Sequence, residues 1–195
     1  MAPVKPIHPA TVHFPIAFLT LAFGLDILHQ LTPALPSFLT SSLPPHTDLT
    51  RASYYSLSLG LLTAIPALVT GVQQAVLLIG KQGMYETDAS GYGVTMRTKV
   101  KALIAHTVAN DLVIALSTLV WYQKRNAAAA TLLGKLGVGS VGTAYATYQP
   151  SLWMVVLEAV LFVLLVVAAN IGGSLTYVFG VGFAAGGGGS SKKKA

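Results

Sequence analysis

The stretch from His8 to Ala17, reading HPATVHFPIA, places two histidines and two prolines at the head of a long apolar segment. Far along the chain, His106 stands four residues before Asn110 inside another apolar segment. A separation of four puts the two on one helical face. Ionisable side chains are costly in lipid and mark functional candidates there. A neutral imidazole is the commonest metal ligand, and a second hydrogen-bond partner fixes its tautomer. His13 and His106 belong to different segments at similar depth, so they are read as a pair binding one ligand, haem b being favoured. Asn110, or the Thr11 carbonyl freed by Pro15, would orient the rings. Tyr177, Gly172 and Gly173 complete the candidate cofactor-binding set, glycine letting a planar ring approach the backbone. The competing reading of His13 and His106 is an interhelical hydrogen bond without a ligand. His8 and His46 are expected to be ordinary interfacial histidines. Asp26, His29 and Glu158 fall near the opposite membrane face, where helix-end charges reach water. Asp111 is expected to point away from His106 and to pair with His29 or a backbone amide.

The elements that must position these residues are membrane spans. The chain of 195 residues is 53% hydrophobic and only 9% charged, too little charge to solvate a globular surface, where about 25% is usual. Four apolar segments, near 9–31, 52–80, 100–122 and 152–183, are each long enough to cross a hydrocarbon core of about 30 Å. The expected fold is an all-α integral membrane protein, a four-transmembrane-helix bundle forming one domain over 1–185, followed by a flexible basic tail, GGGGSSKKKA. The first segment is too long for a cleaved signal and has no basic cluster before it, so it is read as a retained span. Pro15 should bend helix one and Pro66 should interrupt helix two. Small and hydroxyl residues of helix two (Ser56, Ser58, Gly60, Thr63, Ala67, Thr70, Gly71) offer close-packing faces. Residues 32–51 and 81–99 read as loops, and 123–151 as an interfacial or partly helical loop. The last segment, at about 48 Å if wholly helical, should tilt or break at Gly172-Gly173. Four spans put both termini on one side. Lys5, Lys81, Arg97, Lys99, Lys101 and the three tail lysines then face Arg51, Lys124, Arg125 and Lys135, which favours cytosolic termini. Tyr54, Tyr55, Trp121, Tyr122 and Trp153 form an aromatic belt at the other interface. Lys192 and Lys193 resemble a dilysine endoplasmic reticulum retrieval signal.

Several chemistries have no support. There is no cysteine, so thiolate metal sites, iron–sulfur clusters and cysteine nucleophiles are excluded. The net charge of +6 sits in loops and tail, where it fits anionic lipid headgroups better than nucleic acid. GVGSVG at 137–142 matches a dinucleotide fingerprint but lacks the strand before it. No catalytic residue is assigned.

HPATVHFPIA (8–17), Thr70-Gly71, HTVAN (106–110) and GGSLTYVFGVG (172–182) together resemble the membrane family called domain of unknown function 2231. The four blocks fall in all four spans. Gln74, Val178 and Phe179 stand where many members carry acidic, charged or histidine residues, which weakens a proton or metal role at those spots. Some members accompany cytochrome-like domains, which implies a cytochrome-like redox partner. Two functions follow as expectations. One is a haem-b-binding or redox-associated membrane component. The other is a non-catalytic small transporter or assembly factor with structural interhelical histidines.

Overall fold

Pro15 shapes the first span. It has no N–H for the Thr11 carbonyl, and the helix divides there into α1 (Ile7–Thr11) and α2 (His13–Leu31). The halves stay end to end because Val12 N–H bonds the His8 carbonyl and Ile16 N–H bonds the Val12 carbonyl, both at 3.2 Å. The computed structural model describes residues 7–136 and 148–181. The start of the first span is Ile7 rather than Pro9, since proline fits a first helical turn whose N–H groups are unpaired anyway. A 3-10 turn (Thr32–Ala34) and a short α3 (Ser37–Thr40) then lead to the second span.

The second span, α4 (His46–Gln82), begins six residues before its expected start. Pro45 precedes it and Asp48 complements the dipole of its first turn. Its polar opening reads as loop in sequence but is helix. It also runs through Pro66 without ending, so the expected interruption is absent. It stops at Gly83, whose φ of 70° only glycine takes freely.

The expected loop at 81–99 is an antiparallel hairpin of β1 (Tyr85–Thr87) and β2 (Val94–Met96), Tyr85 facing Met96. Asp88 holds its turn by accepting from the N–H and hydroxyl of Ser90 and from Gly93 N–H. These bonds, led by the Ser90 hydroxyl, hold the Asp88 carboxyl below the usual range.

The third span, α5 (Thr98–Leu136), continues 14 residues past its expected end at Tyr122, through an alanine run of high helix propensity. The fourth, α6 (Leu152–Tyr177), passes straight through Gly172-Gly173 and ends at Tyr177, so neither the break nor the extension to 183 is found.

The four spans close a square in which each packs mainly on two neighbours. The first lies against α4 and α6, and α5 lies against the same two. Ser53, Ser56, Gly60, Ala64 and Ala67 line the buried face of α4. At Gly60 a Cβ would sit 2.8 Å from Leu19 Cδ2, so only glycine permits this approach of α4 to α2. Leu19, Phe23, Leu57, Val113, Val120, Leu161 and Leu165 fill the centre. Leu62, Ile65, Val69, Val160 and Val163 face outward. All four helices are long and apolar enough to cross a membrane. The protein is an all-α integral membrane protein.

Because α4 crosses once, His46 and Ser90 lie on opposite sides. Single cysteines at these positions should react with an impermeant maleimide from opposite faces of sealed vesicles. Labelling of both from one face would overturn the topology.

Candidate functional site

Polar side chains gather at both ends of the bundle, and each gathering draws on all four spans. At the non-terminal end lies Lys124, fully buried on α5. An ammonium has three donors, and each has an acceptor from a different helix. Asp26 Oδ2 of α2 is 2.7 Å away, Glu158 Oε1 of α6 is 2.5 Å away and Ser53 Oγ of α4 is 3.2 Å away. Asp26 and Glu158 are themselves completely buried. Ser53 in turn donates to the Ala22 carbonyl at 3.0 Å.

Tyr148, just before α6, covers the group. Its hydroxyl lies 3.0 and 3.1 Å from the two Asp26 oxygens, and its ring lies 5.4 Å from the ammonium. Burial first, and the Asp26 carboxylate second, push the Tyr148 phenol well above its ordinary value, so it remains a neutral donor. His29, three residues beyond Asp26, is buried, and its ring meets that of exposed His46 edge-on at 4.9 Å. The aromatic belt closes round this end. Trp121 Nε1 donates to Ser58 Oγ at 2.8 Å, Tyr54 stacks on Trp121, and Tyr55, Tyr122 and Trp153 face outward.

The terminal end holds two imidazoles. His106 Nδ1 lies 2.9 Å from the Ala168 carbonyl of α6. A carbonyl only accepts, so Nδ1 carries the proton. Asn110 Nδ2 donates to the His106 carbonyl at 2.7 Å, which fixes the amide orientation, and lies 3.3 Å from both ring nitrogens. The other imidazole is His8. Its Nδ1 is 3.1 Å from Thr70 Oγ1, which is also 3.1 Å from Thr11 Oγ1. Each ring rests on a glycine of another helix. A Cβ at Gly71 would lie 3.0 Å from His8 Cε1, and one at Gly172 would lie 2.7 Å from His106 Cε1.

The expected cofactor set is only partly assembled. His106, Asn110 and Gly172 come together as anticipated. His13 is exposed and makes no hydrogen bond among the described residues. Five residues turn a helix by about 140°, so one of His8 and His13 faces inward and the other outward, and it is His8 that faces in. Tyr177 is 84% exposed and lines nothing here, and a Cβ on Gly173 would meet no atom within 4 Å. The planar rings that the glycines admit are the imidazoles themselves. Asp111 is exposed, with neither His29 nor a backbone amide as partner among the described residues. The 137–142 glycine motif, Lys5 and the lysine tail lie outside the described residues.

A family model described as predicted membrane protein, domain of unknown function 2231, matches residues 4–185. The chain belongs to this family. No curated protein matches it, and no solved structure does. Of the blocks that carry the family resemblance, the first supplies His8 and Thr11, Thr70-Gly71 supplies the second helix, HTVAN supplies His106 and Asn110, and the last supplies Gly172. These blocks therefore supply both imidazole contacts of the terminal end, His8 with Thr70 and Gly71, and His106 with Asn110 and Gly172. Lys124 is hidden in the sequence because QKRN looks like a helix-ending basic run. Its spacing held a signal: Lys124 lies 14 residues after Asn110 and seven after Ser117, on the inward face of α5.

Replacing Lys124 with alanine leaves two carboxyls buried against each other. Loss of one partner from a buried ionic group costs about 3–5 kcal/mol. Lys124→Ala should therefore lower the detergent melting temperature strongly. Adding Asp26→Asn and Glu158→Gln to Lys124→Met should recover most of the loss, since no charge is then stranded. Equal melting of Lys124→Ala and wild type by tryptophan fluorescence would show that the cluster carries no stability.

Proposed function

We propose that the bundle moves protons between its two polar ends, as a small proton-translocating membrane carrier. Five buried polar side-chain atoms have no hydrogen-bond partner among the described residues, and the three of them on the spans, His29 Nδ1, Glu158 Oε2 and Ser117 Oγ, carry this reading; the other two, Arg97 Nε and Ser151 Oγ, precede α5 and α6. Such orphans cost about 1–3 kcal/mol each, and His29 is in ring contact with the exposed His46. His29 lies next to the Asp26–Lys124–Glu158 group. Ser117 lies midway on the α5 face that ends at Asn110 and His106, about 10 Å from Lys124 and from Asn110 along the axis.

The chemistry is proton exchange alone. Two carboxyls face one ammonium, so the group is neutral when it holds one proton on the carboxyls, and neutrality is what a dry site favours. A proton taken at His46 passes to the bare nitrogen of His29 and then to the carboxyl pair, which releases one proton toward Ser117. Water admitted between the valines and leucines of the core would bridge Ser117 to His106 and His8. Asp26, Glu158 and His29 bind the proton, Lys124 holds the carboxyls in register, and Tyr148 keeps bulk water off them. With the termini in the cytosol, as the charge bias favours, His46 opens on the other side.

A haem reading gains less from this geometry. His8 would have to replace His13, and Asn110 and the glycine backbones already occupy the surroundings of the two rings. A Soret band in the purified protein that is lost in His8→Ala and His106→Ala, but kept in His13→Ala, would favour haem over proton transfer.

In vesicles under a potassium diffusion potential, wild-type protein should acidify the lumen faster than protein-free vesicles. Asp26→Asn and Glu158→Gln should abolish the excess, and His13→Ala should leave it unchanged. Wild-type flux at the level of empty vesicles would overturn the proposal.

A further inference from the structure

Two histidines 17 residues apart in the chain meet at the non-terminal end. α2 and α4 are consecutive spans packed on each other, so the last turn of α2 carries His29 beside His46, the first residue of α4. The ring centroids are 4.9 Å apart and the ring planes stand at 88°. His29 is only 8% exposed, and its Nδ1 is buried with no hydrogen-bond partner among the described residues. His46 is exposed. Ring packing alone accounts for the contact but leaves that nitrogen bare, at a cost of about 1–3 kcal/mol. An ion ligated by the nitrogen removes the cost.

The spacing of the rings suits a shared metal. A zinc ion about 2.1 Å from each nitrogen lies about 3.2 Å from each centroid, and at a tetrahedral angle the two centroids are then about 5.3 Å apart. The observed 4.9 Å needs only a small rotation of exposed His46. A half-turn of His29 about χ2 exchanges Nδ1 with Cδ2 in the same slot, so a nitrogen can be presented on either edge without repacking.

The donors choose the class of ion. Imidazole suits zinc, copper and nickel, whereas magnesium and calcium want carboxylates and carbonyls. The carboxylate in the first turn of α4, Asp48, faces Arg51 at 3.6 Å. Among the described residues no group of three His, Asp or Glu side chains forms to hold an ion. Water therefore fills the remaining positions, reaching the ion past His46, and such an ion exchanges freely. Asp26 lies one turn before His29. With Asp26 and Glu158 both ionised against Lys124, the buried group carries one negative charge, which favours a dication nearby.

We infer that His29 and His46 together bind one exchangeable divalent transition-metal ion of the zinc class. If protons enter through His46, the ion also closes that entry, but binding itself does not depend on proton transfer.

Full-length protein purified without a polyhistidine tag and stripped by chelator should bind one zinc ion per chain in isothermal titration calorimetry, and magnesium should give no binding heat. Losing groups that merely support a metal's ligands already costs about 10–100-fold in affinity. His46→Ala removes a ligand outright and, being exposed, leaves the core packed, so it should weaken binding at least 100-fold on the same scale. His29→Gln should do the same, and His13→Ala should leave the affinity unchanged. Copper(II) in place of zinc should show electron paramagnetic resonance splitting from two imidazole nitrogens in the wild type and from one in His46→Ala. None of these readings involves flux, so their failure is separate from a failure of proton transfer. Absence of zinc binding, an affinity unaltered in His46→Ala, or a wild-type copper spectrum without the two-nitrogen splitting would each overturn the inference.

Discussion

One ammonium group, that of Lys124, ties the four spans together at the non-terminal end. It is fully buried, and its three protons go to α2, α4 and α6. In lipid the hydrophobic effect does not drive helices together, so packing and polar contacts decide which faces meet. A buried cation makes that choice sharply, because any misplacement of α5 leaves two carboxyls and an ammonium unpaired in a dry core. The rest of the square then packs by shape, with Gly60 opening α4 to Leu19 and an apolar plug between the polar ends.

The opposite end is assembled on weaker terms. Its bonds are neutral and its imidazoles are only half buried. What places them is room: Gly71 and Gly172 are the positions where a methyl group would strike a ring. One end is therefore held by charge and the other by the absence of side chains.

The sequence made the fold legible because apolar length is a strong signal in a membrane protein. Helix ends were less so. His46 to Arg51 and Gln123 to Leu136 are helical, and their polarity says nothing about helix or loop. The contacts are legible only in part. Spacing and motif bring His106, Asn110 and Gly172 together, but depth favours His13 where the structure turns His8 inward. Depth carries no information about facing, and five residues reverse the face of a helix. Asp26 and Glu158 stand out in the sequence, yet their partner Lys124 reads as a loop charge. A lysine at the end of an apolar run ordinarily reaches outward, and only the tertiary arrangement of two acids from other helices turns this one in.

Both polar ends sit on the same rigid helix, and this fixes the distance between them. His106 and Lys124 are 18 residues apart, about 27 Å along α5. That ruler cannot stretch, so any mismatch with the surrounding hydrocarbon is taken up by the lipid or by tilt of the whole bundle rather than by a change in the separation of its two ends.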